Sequence, residues 1–407
     1  MEKLCGHAAQ NPATHLLKNS LWLVGFRPLF LLAIFSGIIF PIIWVLNFGG
    51  RLSLPNQMIT SIQWHAHEMF FGFGLAILGG FLLTATKNWV KIRGYHGGSL
   101  VFLTAAWLFE RLGMSFGGQW PKPLFFLSNY LFLGSLVLML LGTLIQHRQV
   151  DSYRDNIFFV VSLPCFLLSK ALMLHQATFH LGVTMTVGLF RVAFLVMLER
   201  TLTQFVMNLF KLQILRRRIL DLPIKTLALG LVFESLIENI VPFEIPFLRS
   251  GVLQLALVLL LGYRFIFWMP KLIFSRIDLC VMGLGYILLT VQLLFEFISR
   301  NFHFVLVGSV STHLFTFGVM GLIIPAMIVR IAKGHTGRPV VFNFKDKLAF
   351  WAMILGLAIR IIFPQFFPDR YYILISLAAL CWVICFSLLG VQYIPFLLKP
   401  RIDGRES

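Results

Sequence analysis

The sequence predicts an all-α, polytopic transmembrane bundle, and three observations carry the prediction. The 407 residues are 58% hydrophobic and only 12% charged, about half the ~25% charge of a soluble domain, so a water-soluble monomer could not cover its surface. The apolar residues fall in continuous runs of about 20, the length that crosses a hydrocarbon core, and not in the alternation of a β-barrel. Lys and Arg are also shared very unevenly between the two sides of those runs.

Twelve runs bounded by charge, Gly or Pro are expected to span, within a single domain covering residues 1–407. They lie at about 22–46, 63–86, 98–115, 124–146, 156–176 and 179–199, then 222–242, 251–269, 277–298, 304–331, 347–364 and 371–397. The first opens on Gly25-Phe26-Arg27-Pro28, and the second on Trp64-His65-Ala66-His67-Glu68-Met69. The third and fifth are the weakest, because Glu110, Arg111 and Lys170 interrupt them. The seventh carries Glu234 and Glu238, the ninth Glu296, and the tenth His313. Cys381 and Cys385 share a face of the last, where small apolar packing is their ordinary use.

Counting those at the inner span ends, Lys225, Arg264 and Arg330 among them, Lys and Arg divide 24 to the side of the N-terminus against five on the other, with five deeper inside the spans. The five on the other side are Arg51, Lys122, Arg249, Arg300 and Arg370. By the positive-inside rule both termini face the cytoplasm. The first twenty residues are polar and lack a small-residue site after an apolar stretch, so no cleaved signal peptide is expected. The longest connection, about 200–221, holds Arg216-Arg217-Arg218 as a topology anchor. The formal charge of +18 fits loops against an anionic leaflet, and no nucleic-acid partner is expected. Five Cys spread along the chain exclude a disulfide scaffold. No internal repeat is evident.

Ionisable residues inside a membrane are the informative ones, because each is costly to bury. On a regular helix His65 and His67 lie about 200° apart, so they cannot share one metal unless the first turn unwinds. Otherwise they serve different partners. His65, Glu68 and Met69 share a face at i, i+3 and i+4. His65, His67 and His313 stand roughly 33, 30 and 25 Å above the basic residues that close their helices, at 1.5 Å per residue. One layer in the outer half of the membrane can therefore hold all three, and paired imidazoles suit haem iron or copper. His175, His180 and His303, at outer helix ends, could join it.

At the inner face Arg27, Asn88-Trp89 and Gly334-His335-Thr336-Gly337-Arg338-Pro339 gather. They suit either a ligand or haem-propionate site or a basic turn that satisfies helix C-termini. Glu234 and Glu238 mark a proton relay or ion pairs, and with Lys170, Arg191 and Arg360 in other helices the pairs are the simpler expectation.

These strings resemble the NnrS family of haem- and copper-containing bacterial membrane proteins linked to nitric oxide tolerance. The matching pieces are Gly25 to Phe30, Trp64 to Gly74, Gly80 to Ala85, Asn88-Trp89, Trp107, and Gly334 to Pro339 after the helix bearing His313. The chain departs from the family pattern at Thr86-Lys87, where the family tends to have Val-Pro, and after Arg200, where the proline is absent. The resemblance implies b-type haem and copper, a nitric oxide ligand, an electron donor, and a place in the bacterial cytoplasmic membrane. It does not say which histidine binds which metal. The expected metal ligands are His65, His67 and His313, with His335 at the inner face. Trp64, Glu68, Met69, Trp89, Arg27 and Arg338 are expected around the cofactor.

Binding and turnover are both compatible with these residues. A haem–copper nitric oxide reductase is disfavoured, because such enzymes resemble one another in six core histidines with an adjacent His-His pair, and no His-His occurs here. A haem or metal transporter, or an assembly factor, is the alternative of another class. It lacks the paired helix interruptions of transporters.

Overall fold

A computed structural model describes residues 19–56, 58–212, 216–241, 249–303 and 305–404. The N-terminal segment before residue 19, on which the signal-peptide expectation rests, lies outside them. The described residues form helices and connections, with no strand among them. The long helices are α1 (Phe26–Phe48), α2 (Ser61–Trp89), α3 (Gly98–Phe116), α4 (Lys122–Gln146), α5 (Ile157–Leu174) and α6 (Phe179–Phe210). They continue as α7 (Arg218–Ile240), α8 (Val252–Phe267), α9 (Ile277–Asn301), α10 (Val310–Gly334), α11 (Phe344–Ile361) and α12 (Tyr371–Leu398).

Ten of these are long and apolar enough to cross a membrane. The other two are α7, which carries Arg218, Asp221, Lys225, Glu234 and Glu238, and α8, which has 16 residues. The expected interruptions of α3 and α5 do not break them, because Lys170 donates to Glu110 across the two helices. Helix α6 runs eleven residues past its expected end, to Phe210. Glu199 and Arg200 are paired with Lys225 and Asp155 and so stay buried inside the helix, which leaves the expected 200–221 loop much shorter.

Contacts between connections sort the helix ends into two sets. At one end, called lower here, Gly97 N–H donates to Trp22 O at 2.7 Å, Ser152 to Trp89 O at 3.0 Å, and Ile402 to Thr336 O at 3.2 Å. At the upper end Gln63 Nε2 donates to Leu174 O at 3.1 Å, Asn301 Nδ2 to Ser250 O at 2.9 Å, and Val307 N–H to Gln365 Oε1 at 3.0 Å. Successive helices thus run in alternate directions.

Helices α2, α6 and α10 occupy the centre: their apolar windows are 89%, 83% and 89% buried, against 28–56% for the other candidate spans. Their close approach needs Gly74, where a Cβ would fall 2.9 Å from the Phe190 ring of α6 and 3.1 Å from Met320 of α10. Peripheral helices turn Leu138, Trp351 and Val391 outward, as lipid-facing positions do.

Two central helices share an irregularity that the sequence reading missed. Helix α2 is regular over Ser61–His67, widens to a π-helix over Glu68–Gly74, then returns to α. Helix α10 does the same, with π geometry over Leu314–Met320 directly after His313. Each π stretch has seven residues and follows a histidine in the pattern His-x-x-x-Phe-Gly: His67 to Phe71-Gly72, and His313 to Phe317-Gly318. This is a short internal repeat. π turns strain the backbone and recur at functional sites.

Candidate functional site

His65 and His313 open on one cavity of about 260 Å3 near the upper end, between α1, α2, α6, α10, α11 and α12. A capping box at Thr60 and Gln63 starts α2 as a regular helix, which settles the angular question: the first turn is not unwound. His65 therefore points into the cavity, stacked on Trp44 with ring centroids 4.2 Å apart and planes 16° off parallel. Its Nδ1 is buried without a hydrogen-bond partner. His313 donates from Nδ1 to Ser309 O at 2.9 Å, because a carbonyl can only accept. That fixes Nε2 as the lone-pair nitrogen, with Arg360 Nη2 at 3.3 Å. Met69 and His180 also reach the wall, which is otherwise aromatic and aliphatic apart from hydroxyls and Arg360.

His67 faces away from this cavity, into a buried ionic group. Its Nδ1 is 3.3 Å from Glu68 Oε1 and its Nε2 is 3.3 Å from Glu110 Oε1. Arg111 bridges the two carboxylates, at 3.2 Å to Glu68 and 2.8 Å to Glu110. Lys170 donates to Glu110 and to the carbonyl of Asn129. The expectation that Glu68 shares the face of His65 and Met69 is corrected here. Glu68 still donates its N–H to Trp64 O as in a regular helix, and its side chain, about 60° from His65 around the axis, reaches His67 and Arg111 and not the cavity. Gly72 makes room for this group, since a Cβ there would meet Arg111 Nη1 at 2.1 Å. The Gly72 carbonyl accepts from Trp107 Nε1 at 2.9 Å. Trp64 is buried edge-on to Phe40 and is not on the cavity wall.

His335 lies at the lower end, far along α10 from His313. It lines a different cavity, of about 370 Å3, with Asn88, Trp89, Tyr153, Arg200 and Gln204. Burial, with Lys87, Arg401 and Arg27 nearby, pushes its imidazole down to about 4, so it is neutral at neutral pH. Trp89 is engaged by Arg200, whose guanidinium sits 4.5 Å from its ring centroid and 4.2 Å from that of Tyr153. Arg27 caps the C-terminal end of α12, donating to Leu397 O at 2.8 Å and Lys399 O at 2.7 Å. Arg338 lies over Phe396 at 4.0 Å. Arg27 thus satisfies helix-end carbonyls, one of the two expectations for the inner face.

Near the upper end Arg300 contacts Glu238 of α7 at 2.6 Å and stands 3.6 Å from Glu234, and Arg191 contacts Glu296 of α9 at 2.8 Å. Cys381 and Cys385 are buried free thiols.

Sequence reasoning gave Trp44 no role, and treated Arg360, Arg111 and Lys170 only as interruptions or ion-pair partners. A signal was present for the cations: Arg111 and Arg360 lie on the helices that follow α2 and α10, about the same distance beyond His67 and His313. Trp44 carried none, since an aromatic near a helix end is common in membrane proteins.

No three His, Cys, Asp or Glu side chains among the described residues converge as a metal cage. A metal ion relying wholly on such donors is therefore not what these residues fit. They fit haem better, because a porphyrin brings its own four nitrogens and asks the protein for one or two axial side chains. His65 supplies a buried nitrogen without a partner, His313 a nitrogen of fixed tautomer, and Arg360 a cation for an acidic periphery.

The sequence model of one protein family, described as "NnrS protein", matches residues 20–401. No curated protein matches the chain.

Proposed function

The chain belongs to the NnrS family, and on that premise we propose that it binds haem between α2 and α10 and acts in the response to nitric oxide. The observation that carries this reading is the shared cavity: two central helices deliver His65 and His313 to one largely apolar wall that holds a single guanidinium. Haem held there by His65 or His313 would supply an iron able to bind nitric oxide. The protein's residues do the rest. Trp44 holds the His65 ring flat, the Ser309 carbonyl orients His313, and Arg360 offers its planar fork to a carboxylate. Phe70, Phe179, Phe317 and Trp382 make the wall apolar.

Copper receives no site of its own on this reading; Met69 and His180 are the soft and imidazole donors nearest to hand on the same wall. The reading also has α7 and α8 cross the membrane, giving twelve spans, with the lower end in the cytoplasm of a bacterium. The alternating helix directions and the 24-to-5 division of Lys and Arg support it.

Optical spectra of the detergent-purified protein, oxidised and reduced, before and after nitric oxide, test the proposal. A Soret band that shifts on adding nitric oxide to the reduced protein is expected. A folded protein, produced with haem plentiful, that shows no Soret band contradicts it and favours a transporter. Sustained nitric oxide consumption with a reduced donor would instead point to a reductase.

A further inference from the structure

A second upper cavity, also about 260 Å3, lies among α6, α7, α8, α9 and α10. Its wall is polar where that of the histidine cavity is apolar, with Arg191, Glu234, Gln254, Glu296 and Ser299 facing it. Most of these charges are matched. Arg191 Nη2 donates to Glu296 Oε1 at 2.8 Å and to Gln292 Oε1 at 2.9 Å. Arg300 holds Glu238 with both Nη atoms, at 2.6 and 3.2 Å.

Glu234 is different. Gln254 Nε2 donates to its Oε2 at 2.7 Å, and Arg300 Nη2 stands off at 3.6 Å. Its Oε1 is buried with no hydrogen-bond partner, in a residue only 2% exposed. The charges that act on it are Arg300, Glu238 and Glu296, with Arg191 across the cavity. Arg300 lies closest to Glu238 and Arg191 to Glu296, which leaves Glu234 the most weakly matched of the three carboxylates. A buried carboxylate with one bare oxygen is costly, and a proton on that oxygen removes the cost. The cavity has room for several waters to deliver it, at ~30 Å3 each. Val183 and Thr312 line both this cavity and the one that holds His65 and His313.

We propose that Glu234 is a proton-holding site: its Oε1 takes a proton from water entering at the upper face and keeps it beside the histidine cavity, with Thr312 between the two. Uptake turns the carboxylate into the neutral acid, and release returns the proton to cavity water. Nothing in this depends on whether haem is bound.

Infrared difference spectra of the purified full-length protein, between alkaline and mildly acidic buffer, test it. The carbonyl stretch of one buried carboxylic acid should appear on acidification, move in heavy water, vanish in Glu234→Gln and persist in Glu238→Gln. Gln254→Leu keeps the carboxyl but removes its neutral donor, so the band should shift without loss, which decides the matter even if Glu234→Gln does not fold. A band that persists in Glu234→Gln, or that ignores Gln254→Leu, overturns the proposal. So does a band that follows sodium concentration at fixed pH, which would make this a site for a small metal cation.

Discussion

Replacing Lys170 with Met removes one charge from a group that balances within the protein. Glu68, Glu110, Arg111 and Lys170 sum to zero around His67, and all but Arg111 have side chains no more than 1% exposed. Lys170→Met leaves two carboxylates to one guanidinium, an uncompensated buried charge that costs about 3–5 kcal/mol. Glu110→Gln leaves two cations to one carboxylate and should cost about as much. The double variant restores neutrality, because Arg111 still lies 3.2 Å from Glu68. Its loss should fall short of the sum of the singles by ~3 kcal/mol, the coupling expected of contacting charges. Unfolding of the wild type and the three variants in detergent, at low and high salt, measures this. The coupling should survive salt, since ions screen buried pairs poorly. Additive losses, or singles within ~1 kcal/mol of wild type, would refute the reasoning: water would then reach the group, and His67 would not be walled off by it.

Three further outcomes follow from other contacts. Burial pushes the folded His335 imidazole down to about 4, against about 6.5 for a free imidazole. The unfolded chain therefore binds the proton first as pH falls, and the stability present above pH 6.5 should drop by at most about 3 kcal/mol toward pH 4. His335→Gln should flatten that part of a pH–stability curve. Gly72→Ala places a Cβ 2.1 Å from Arg111 Nη1 and 2.8 Å from the Phe40 ring. Unfolding should show it destabilised by about 1–3 kcal/mol, whereas Ala at Gly134, where nothing lies within 4 Å, should be harmless or better. Arg360→Gln should release haem at least ~10-fold faster in transfer to a haem-scavenging protein, as loss of one charge-assisted contact of about 1.5–3 kcal/mol implies. Unchanged release would remove Arg360 from the cofactor's neighbourhood.

The helical bundle was legible in the sequence because membrane spans advertise themselves by length and by the bias of their flanking charges. Where expectation failed, local rules met tertiary pairing. The run ending at Glu199-Arg200 reads as a helix boundary, yet Lys225 and Asp155 neutralise those charges and the helix continues. The angular separation of His65 and His67 correctly offered two partners as one outcome. The π turn that begins at Glu68 was invisible to a 100° rule, however, and the Glu68 carboxylate takes its place from Arg111 of a neighbouring helix. The common depth of His65 and His313 followed from counting residues to Lys87 and Arg330, since rise along a helix is nearly constant. The roles of Trp44 and Arg360 come from neighbouring helices, and no spacing within one helix could show them.

The central claim is that His65 and His313, and not His67, face the haem. Spectra of His65→Ala, His67→Ala and His313→Ala, beside wild type in the same preparation, test it most directly. The account predicts that the Soret band collapses or shifts in the His65 and His313 variants. In His67→Ala it should keep its position and its haem-to-protein ratio, with only the unfolding midpoint lowered. A band lost in folded His67→Ala, or one untouched in both of the other variants, would contradict the account.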